Sequence, residues 1–199
     1  MSSFTESLRT RALQPVVEDR RTSLVLGVVA FVILTALSAQ VAVRLPWTPV
    51  PVTLQPLFVV LAGVLLGARA GALAMAAYVT VGALGAPVFS NGGAGLPWLL
   101  GPTGGYLLAA PAAAFLAGVV SGPARTRSAA AALRLLGGLV AGVATMYTGG
   151  VLQLMGLGGL GAGEALALGV VPFLVGDATK IAFAFFAVLS LRGLRPGIE

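Results

Sequence analysis

The chain has 199 residues, of which 58% are hydrophobic and only 9% are charged, against roughly 25% charged in an ordinary soluble domain. Because a bilayer span needs about 20 mostly apolar residues, long uncharged stretches predict an integral membrane protein embedded in a lipid bilayer. Five stretches without Asp, Glu, Lys or Arg cover residues 24–43, 45–68, 70–124, 135–163 and 181–191.

The formal charge of +6 does not predict a nucleic-acid partner, because the arginines lie at the ends of apolar runs, as topology signals do. The sequence has no cysteine and no histidine, so disulfides and the usual zinc, haem and thiol chemistry are excluded. No metal or other cofactor is expected.

The expected fold class is an all-α membrane protein with six transmembrane helices. A polar cytoplasmic tail (1–22) precedes the membrane domain (23–192), and a second short tail (193–199) follows it. In chain order, the apolar runs and their breakers predict spans at 24–43, 56–67, 71–85, 105–121, about 131–156 and about 172–191.

Two irregular segments interrupt this pattern. "RLPWTPVPVTLQP" (44–56) has four prolines in thirteen residues and cannot form a regular helix, and "APVFSNGGAGLPWLLGPTGG" (86–105) is rich in helix breakers. The adjoining second and third spans reach only about 18–23 Å, less than a hydrocarbon core of about 30 Å. Irregular backbone at membrane depth persists where it lines a cavity, so the sequence predicts an outward-facing ligand pocket.

The distribution of arginines predicts the orientation. With the amino terminus inside, six spans leave ten arginines on the inner side and Arg44 alone outside. By the positive-inside rule, both termini are expected to be cytoplasmic and the protein to lie in the plasma membrane.

The last span carries an aspartate and the chain's only lysine. In "VPFLVGDATKIAFAFFAV" (171–188), Asp177 and Lys180 share one helix face. Each charge costs about 2.5–3.5 kcal/mol at mid-membrane, whereas i,i+3 pairing returns only about 0.2–0.5 kcal/mol. The pair either docks the helix against its neighbours or contacts a ligand. We favour the ligand site, because intramembrane ionisable groups usually mark a substrate path.

Other polar residues give weaker signals. Asn91 in the glycine-rich loop either binds a ligand or forms an ordinary turn. Thr103 and Tyr106 flank "GPTGGY", where glycines allow close approach of a ligand but also make a turn. For Gln55 and Gln153 the residues alone favour structural roles, in helix capping and in interhelical hydrogen bonding.

Three segments carry a resemblance to a known family. "LPWTPVPVTLQPLFVVLAGVLLGARAGALA" (45–74), "GAPVFSNGGAGLPWLLGPTGGYLLAAP" (85–111) and "VPFLVGDATK" (171–180) resemble the BioY family, the biotin-binding S components of energy-coupling factor (ECF) vitamin transporters. The similarity extends over roughly 24–191. It implies a six-helix subunit that binds biotin from outside and works with a transmembrane coupling subunit and two cytoplasmic ATPases.

The resemblance also implies residue roles. The positions it assigns to biotin binding are Asn91, Thr103, Gly104 and Tyr106 of the GPTGGY turn, Asp177 and Lys180, and Thr53 and Gln55 in the first outer loop. The family's Ala-xxx-Ala motif for docking the coupling subunit appears here only as Thr35-xxx-Ala39. Gln153 stands where the family commonly has an aromatic residue.

Two other classes of function remain open at this point. One is a self-contained channel or facilitator for small solutes, gated by the Asp177–Lys180 pair, and the other is a membrane scaffold without a small ligand. An enzyme is not expected, because the sequence contains neither a phosphate-binding G-x-x-x-x-G-K-[ST] loop nor a Ser–His or Cys–His pair.

Overall fold

The computed structural model describes residues 20–122 and 128–193, with backbone only for 192 and 193, and this part of the chain is mostly helical. The rest of both predicted tails lies outside the described residues. The helices are α1 (Arg20–Gln40), α2 (Gln55–Leu66), α3 (Ala68–Ala83), α4 (Leu96–Leu99), α5 (Gly104–Ser121), α6 (Ala129–Gly156), α7 (Ala162–Gly169) and α8 (Leu174–Gly193). Two short strands, β1 (Ala42–Val43) and β2 (Val52–Thr53), pair antiparallel, with Ala42 opposite Thr53.

Four helical segments in the described part of the chain are long and apolar enough to cross a membrane. They are Arg20–Gln40, Gly104–Ser121, Ala129–Gly156 and Ala162–Leu191. Helices α2 and α3 are apolar but have only 12 and 16 residues, so the predicted shortness of the second and third spans is confirmed. The chain therefore has the helices of a multi-pass membrane protein.

Helix α5 packs against α2, α3 and α6 at the centre of the bundle. Small residues let these helices approach closely. A Cβ atom placed on Gly63 of α2 would overlap the Ala114 carbonyl of α5, and one on Gly149 of α6 would overlap the Gly105 backbone. The core around this contact consists of aliphatic side chains, including Val59, Val60, Met75, Leu135 and Leu139.

Thr35 and Ala39 on α1 take part in a helix contact within this chain. Both are fully buried, and the Thr35 hydroxyl contacts Met75 Sδ of α3 at 3.9 Å. Their docking of a coupling subunit stays a prediction. Small residues four positions apart do make a close helix contact here, but the contact is intramolecular, since α1 packs on α2 and α3.

Several short elements were not predicted from the sequence. No helix was predicted between the fifth and sixth spans, but α7 begins at Ala162, because "AGEALALG" contains good helix formers with Glu164 in the first turn. A 3₁₀ turn (Val171–Phe173) then leads into α8 at Leu174. Helix α4 and the β1–β2 hairpin were too short to give a periodic signal.

Candidate ligand-binding pocket

A pocket of about 660 Å³ lies where the first residues of α2, α5 and α8 meet the middle of α6. Its polar lining consists of Thr53, Gln55, Ser90, Thr103, Tyr106, Tyr147, Asp177 and Lys180. Its apolar lining consists of Val50, Pro51, Pro56, Leu107, Ala110, Val143, Met146 and Phe173.

Asp177 and Lys180 are the only charged residues among the described residues of this lining. Asp177 is 4% exposed, and its Oδ1 lies 2.5 Å from Lys180 Nζ. Tyr147 of α6 donates a hydrogen bond of 2.6 Å to Asp177 Oδ2. A buried carboxylate is tolerated only when it is paired and hydrogen-bonded, and both conditions are met here.

The lysine keeps capacity for a further acceptor. An ammonium group has three N–H donors, and Lys180 directs one of them at Asp177. Each carboxylate oxygen of Asp177 also has a second lone-pair site beside the one already engaged. The pair therefore presents both donors and acceptors to the pocket, although its net charge is zero.

Tyr106 fixes the segment that precedes α8. Its hydroxyl donates to the Gly169 carbonyl at the end of α7, at 2.5 Å. Its ring packs against Gly150 of α6, where a Cβ atom would overlap the ring. In the following 3₁₀ turn, Phe173 packs with the buried side chains of Val50 and Leu154. These contacts set where α8 begins and so place Asp177 in the pocket.

The proline-rich segment between β1 and β2 covers one side of the pocket. Thr48 Oγ1 donates to the Leu168 carbonyl of α7 at 2.7 Å, and the Val50 N–H donates to Thr48 Oγ1 at 3.2 Å. Val50 is buried, and Pro51 and Thr53 line the pocket. The segment is thus held against α7 by one side-chain hydrogen bond and one apolar contact.

Gln55 begins a chain of hydrogen bonds behind the pocket. Its Nε2 donates to Tyr78 Oη at 3.0 Å, and Tyr78 donates in turn to the Val88 carbonyl at 2.9 Å. Tyr78 is fully buried, and Phe89 packs edge-on against its ring. Gln55 therefore lines the pocket and also supports the loop before α4.

Asn91 lies in that loop, in a left-handed backbone conformation with φ of 55°. Gln40 of α1 holds the turn from both sides: its Nε2 donates to the Phe89 carbonyl at 3.1 Å, and its Oε1 accepts from the Gly92 N–H at 3.0 Å. Gln40 was not predicted as a site residue, because in the sequence it is only a polar residue near the end of an apolar run.

The structure brings most of the predicted site residues together. Asn91 lines an adjoining groove rather than the pocket. Gly104 is buried and does not line the pocket; its N–H donates to the Gly101 carbonyl at 3.1 Å, and a Cβ atom there would overlap the Leu99 carbonyl. We therefore assign Gly104 a packing role. The predicted residues that share the pocket lining are Thr53, Gln55, Thr103, Tyr106, Asp177 and Lys180.

The structural role expected for Gln153 is confirmed. Its Nε2 donates to the carbonyls of Leu99 and Gly101, each at 2.7 Å, and so ties α6 to α4 and to the turn after it. Tyr147, in contrast, was missed. A tyrosine in the middle of an apolar span needs a partner for its hydroxyl, and that requirement could have pointed to the buried carboxylate.

The helices and the pocket together define a multi-pass membrane protein with a built site for a small polar ligand. The sequence model of the BioY family matches residues 10–197, and the chain belongs to this family.

Relatives and solved structures agree with this assignment. The chain is 41% identical over 166 residues to the probable biotin transporter BioY of Pyrococcus horikoshii, covering 83% of this chain and 94% of the relative. It is 38% identical over 152 residues to the biotin transporter BioY of Thermotoga maritima, covering 76% and 86%. Its fold is that of the S-component for biotin from an ECF-type ABC transporter, with a TM-score of 0.78, 22% identity and coverage of 92% of this chain and 97% of the other.

Proposed function

We propose that this chain is a biotin-binding S component of an ECF-type transporter. The observation that carries the proposal is the buried Asp177–Lys180 pair, which is hydrogen-bonded by Tyr147 and lies in an otherwise uncharged pocket among apolar helices. Relatives named as biotin transporters and the fold shared with a biotin S component support the same ligand. Transport rather than catalysis follows from the family.

The chemistry of biotin fits the groups that line this pocket. The ureido ring has two N–H donors and one carbonyl acceptor, and the free lone-pair sites of Asp177 accept from such donors. The valerate carboxylate needs a cation, and Lys180 supplies the only one in the described lining. The bicyclic ring is apolar enough to pack against Phe173 and Met146. Further polar contacts at the pocket wall come from Thr53, Thr103 and Gln55. Asn91 contacts the ligand only if the ligand extends into the adjoining groove.

The proposal also includes a membrane topology. In this topology α2 and α3 cross the membrane together with the four longer segments, both termini are cytoplasmic, and the pocket opens to the outside. The arginine distribution supports this orientation. The proposal also assigns the energy supply to a transmembrane coupling subunit and two ATPase subunits, and the fold shared with the S-component of an ECF-type ABC transporter supports this context.

The decisive experiment is a biotin titration of the purified chain. Saturable binding and a melting temperature that rises by several degrees at micromolar biotin are expected, since a ligand that binds only the native state stabilises it. Lys180→Met should abolish this rise. Glu164→Gln is the matched control, because Glu164 is exposed on α7 and does not line the pocket. A wild-type chain that does not bind biotin would overturn the proposal.

A further inference from the structure

A second open space, with about 810 Å³ of empty volume, adjoins the pocket. Pro51 and Thr103 line both spaces, so they form a shared wall between them. On the far side of this wall the groove is lined by Arg44, Asn91 and Trp98, among others. The two spaces are thus neighbours, and both residues that they share lie in the two irregular segments.

Arg44 is the only charged residue among the described residues of the groove. It is exposed, directly after β1, and forms no ion pair with any residue in 20–122 or 128–193. Inside the pocket, the charges of Asp177 and Lys180 cancel. An anion that approaches this end of the molecule therefore meets the uncompensated field of Arg44 before it reaches the neutral pair.

We propose that the groove is a capture site in which Arg44 attracts the carboxylate of the ligand before it passes between Pro51 and Thr103 into the pocket. The inference rests on the proposed function and adds a separate kinetic step to it. A charge at the rim of a site acts mainly on the association rate and its salt dependence, whereas groups inside the site determine the dissociation rate. Arg44 should therefore speed association with anionic ligands and contribute little to the final complex.

The groove also has the groups that a transient polar ligand needs. The Asn91 side chain offers one donor pair and one acceptor, the Thr103 hydroxyl lies on the shared wall, and the Trp98 ring offers an apolar surface. Because the chain has only two tryptophans, ligand passage beside Trp98 also gives an intrinsic fluorescence signal.

The test is stopped-flow measurement of association and dissociation rates for wild type and Arg44→Gln, with biotin and with its uncharged methyl ester. For biotin, Arg44→Gln should lower the association rate roughly three- to tenfold and leave the dissociation rate within about twofold. For the ester the two proteins should associate equally fast. Raising the salt from about 50 to 500 mM should slow wild type towards the variant, since the Debye length shortens.

Arg69→Gln is the control, because it removes the same charge from an exposed arginine at the start of α3, beyond the end of α2 that lies away from the pocket. It should behave as wild type. Three results would each refute the capture site without refuting biotin binding. They are an unchanged association rate in Arg44→Gln, an equal loss of association rate for the acid and the ester, and an effect on the dissociation rate alone. A wild-type chain that binds no biotin would instead refute the proposed function.

Discussion

The pocket end of the molecule and the middle of the helix bundle are held together by different means. In the middle, Gly63 of α2 and Ala114 of α5 let helix backbones touch, and few polar side chains take part. At the pocket end, the side chains of Thr48, Gln153 and Tyr106 donate to backbone carbonyls of loops and helix ends. The reason is that irregular backbone leaves carbonyls without helical partners, and these must be satisfied at membrane depth.

This difference predicts how substitutions act. In the bundle, any added volume opposes a close backbone contact and should disturb the whole fold. At the pocket end, the loss of one donor should change ligand binding locally and leave the helices in place.

The largest expected effect tests the bundle. Thr35→Trp should prevent correct folding, because Thr35 is 0% exposed and leaves no space for an indole ring. Size-exclusion profiles in detergent should show aggregation and loss of biotin binding. Leu37→Trp is the control on the same helix, since Leu37 is 61% exposed, and it should fold normally. A well-folded Thr35→Trp protein with the melting temperature of wild type would show that this face of α1 is not packed against the other helices.

The next effect separates ligand contact from structural pairing in the pocket. The double variant Asp177→Asn/Lys180→Met removes both buried charges, so it should fold with a melting temperature near or above that of wild type. Biotin affinity should fall tenfold or more, about 1.5–3 kcal/mol, because charged partners of the ligand are lost. Calorimetric titration and thermal melting measure the two quantities. Normal affinity in a folded double variant would mean that the pair only docks α8.

A smaller effect is expected from Tyr147→Phe, which removes the 2.6 Å hydrogen bond to Asp177 without changing the ring. Biotin affinity should fall about tenfold, in line with about 1.5 kcal/mol for a hydrogen bond to a charged group. Thr148→Val is the neighbouring control, because the Thr148 hydroxyl bonds to its own helix at Ala144. Equal affinity in Tyr147→Phe and wild type would exclude Tyr147 from orienting the carboxylate.

The smallest effect concerns the segment over the pocket. Thr48→Val removes the 2.7 Å hydrogen bond to the Leu168 carbonyl and should raise the biotin dissociation rate about fivefold, or about 1 kcal/mol. Thr48→Ser keeps the hydroxyl and should dissociate at the wild-type rate. If valine and serine behave alike, this bond does not hold the segment closed.

The sequence predicted much of the architecture for physical reasons that are local. Uncharged runs locate the helices, and proline-rich residues 44–56 mark where the helix cannot continue. The prediction that Asp177 and Lys180 contact a ligand follows from the cost of charge in an apolar span. For Thr35 and Ala39, small-xxx-small spacing identifies a helix contact without saying whether the partner helix is in the same chain.

Gln40 and the groove around Arg44 could not be found in this way, and for Tyr147 the sequence shows only that its hydroxyl needs a partner. Tyr147 meets Asp177 across thirty residues of sequence, and Gln40 meets Gly92 across fifty-two. Such pairs depend on how the loops pack, and neither periodicity nor composition contains that information. Gly104 illustrates the same point, since a glycine needed for backbone packing looks the same in sequence as one that admits a ligand.

The shortness of α2 has a consequence for the distance of transport. The pocket lies beside Gln55 at the first turn of α2, and the remaining length of this 12-residue helix is at most about 18 Å. A hydrocarbon core is about 30 Å thick. In the proposed topology, with the pocket open to the outside, a ligand bound beside Gln55 would lie about 12 Å inside the core, or about two fifths of the barrier, and the coupling partners would move it only over the remaining part.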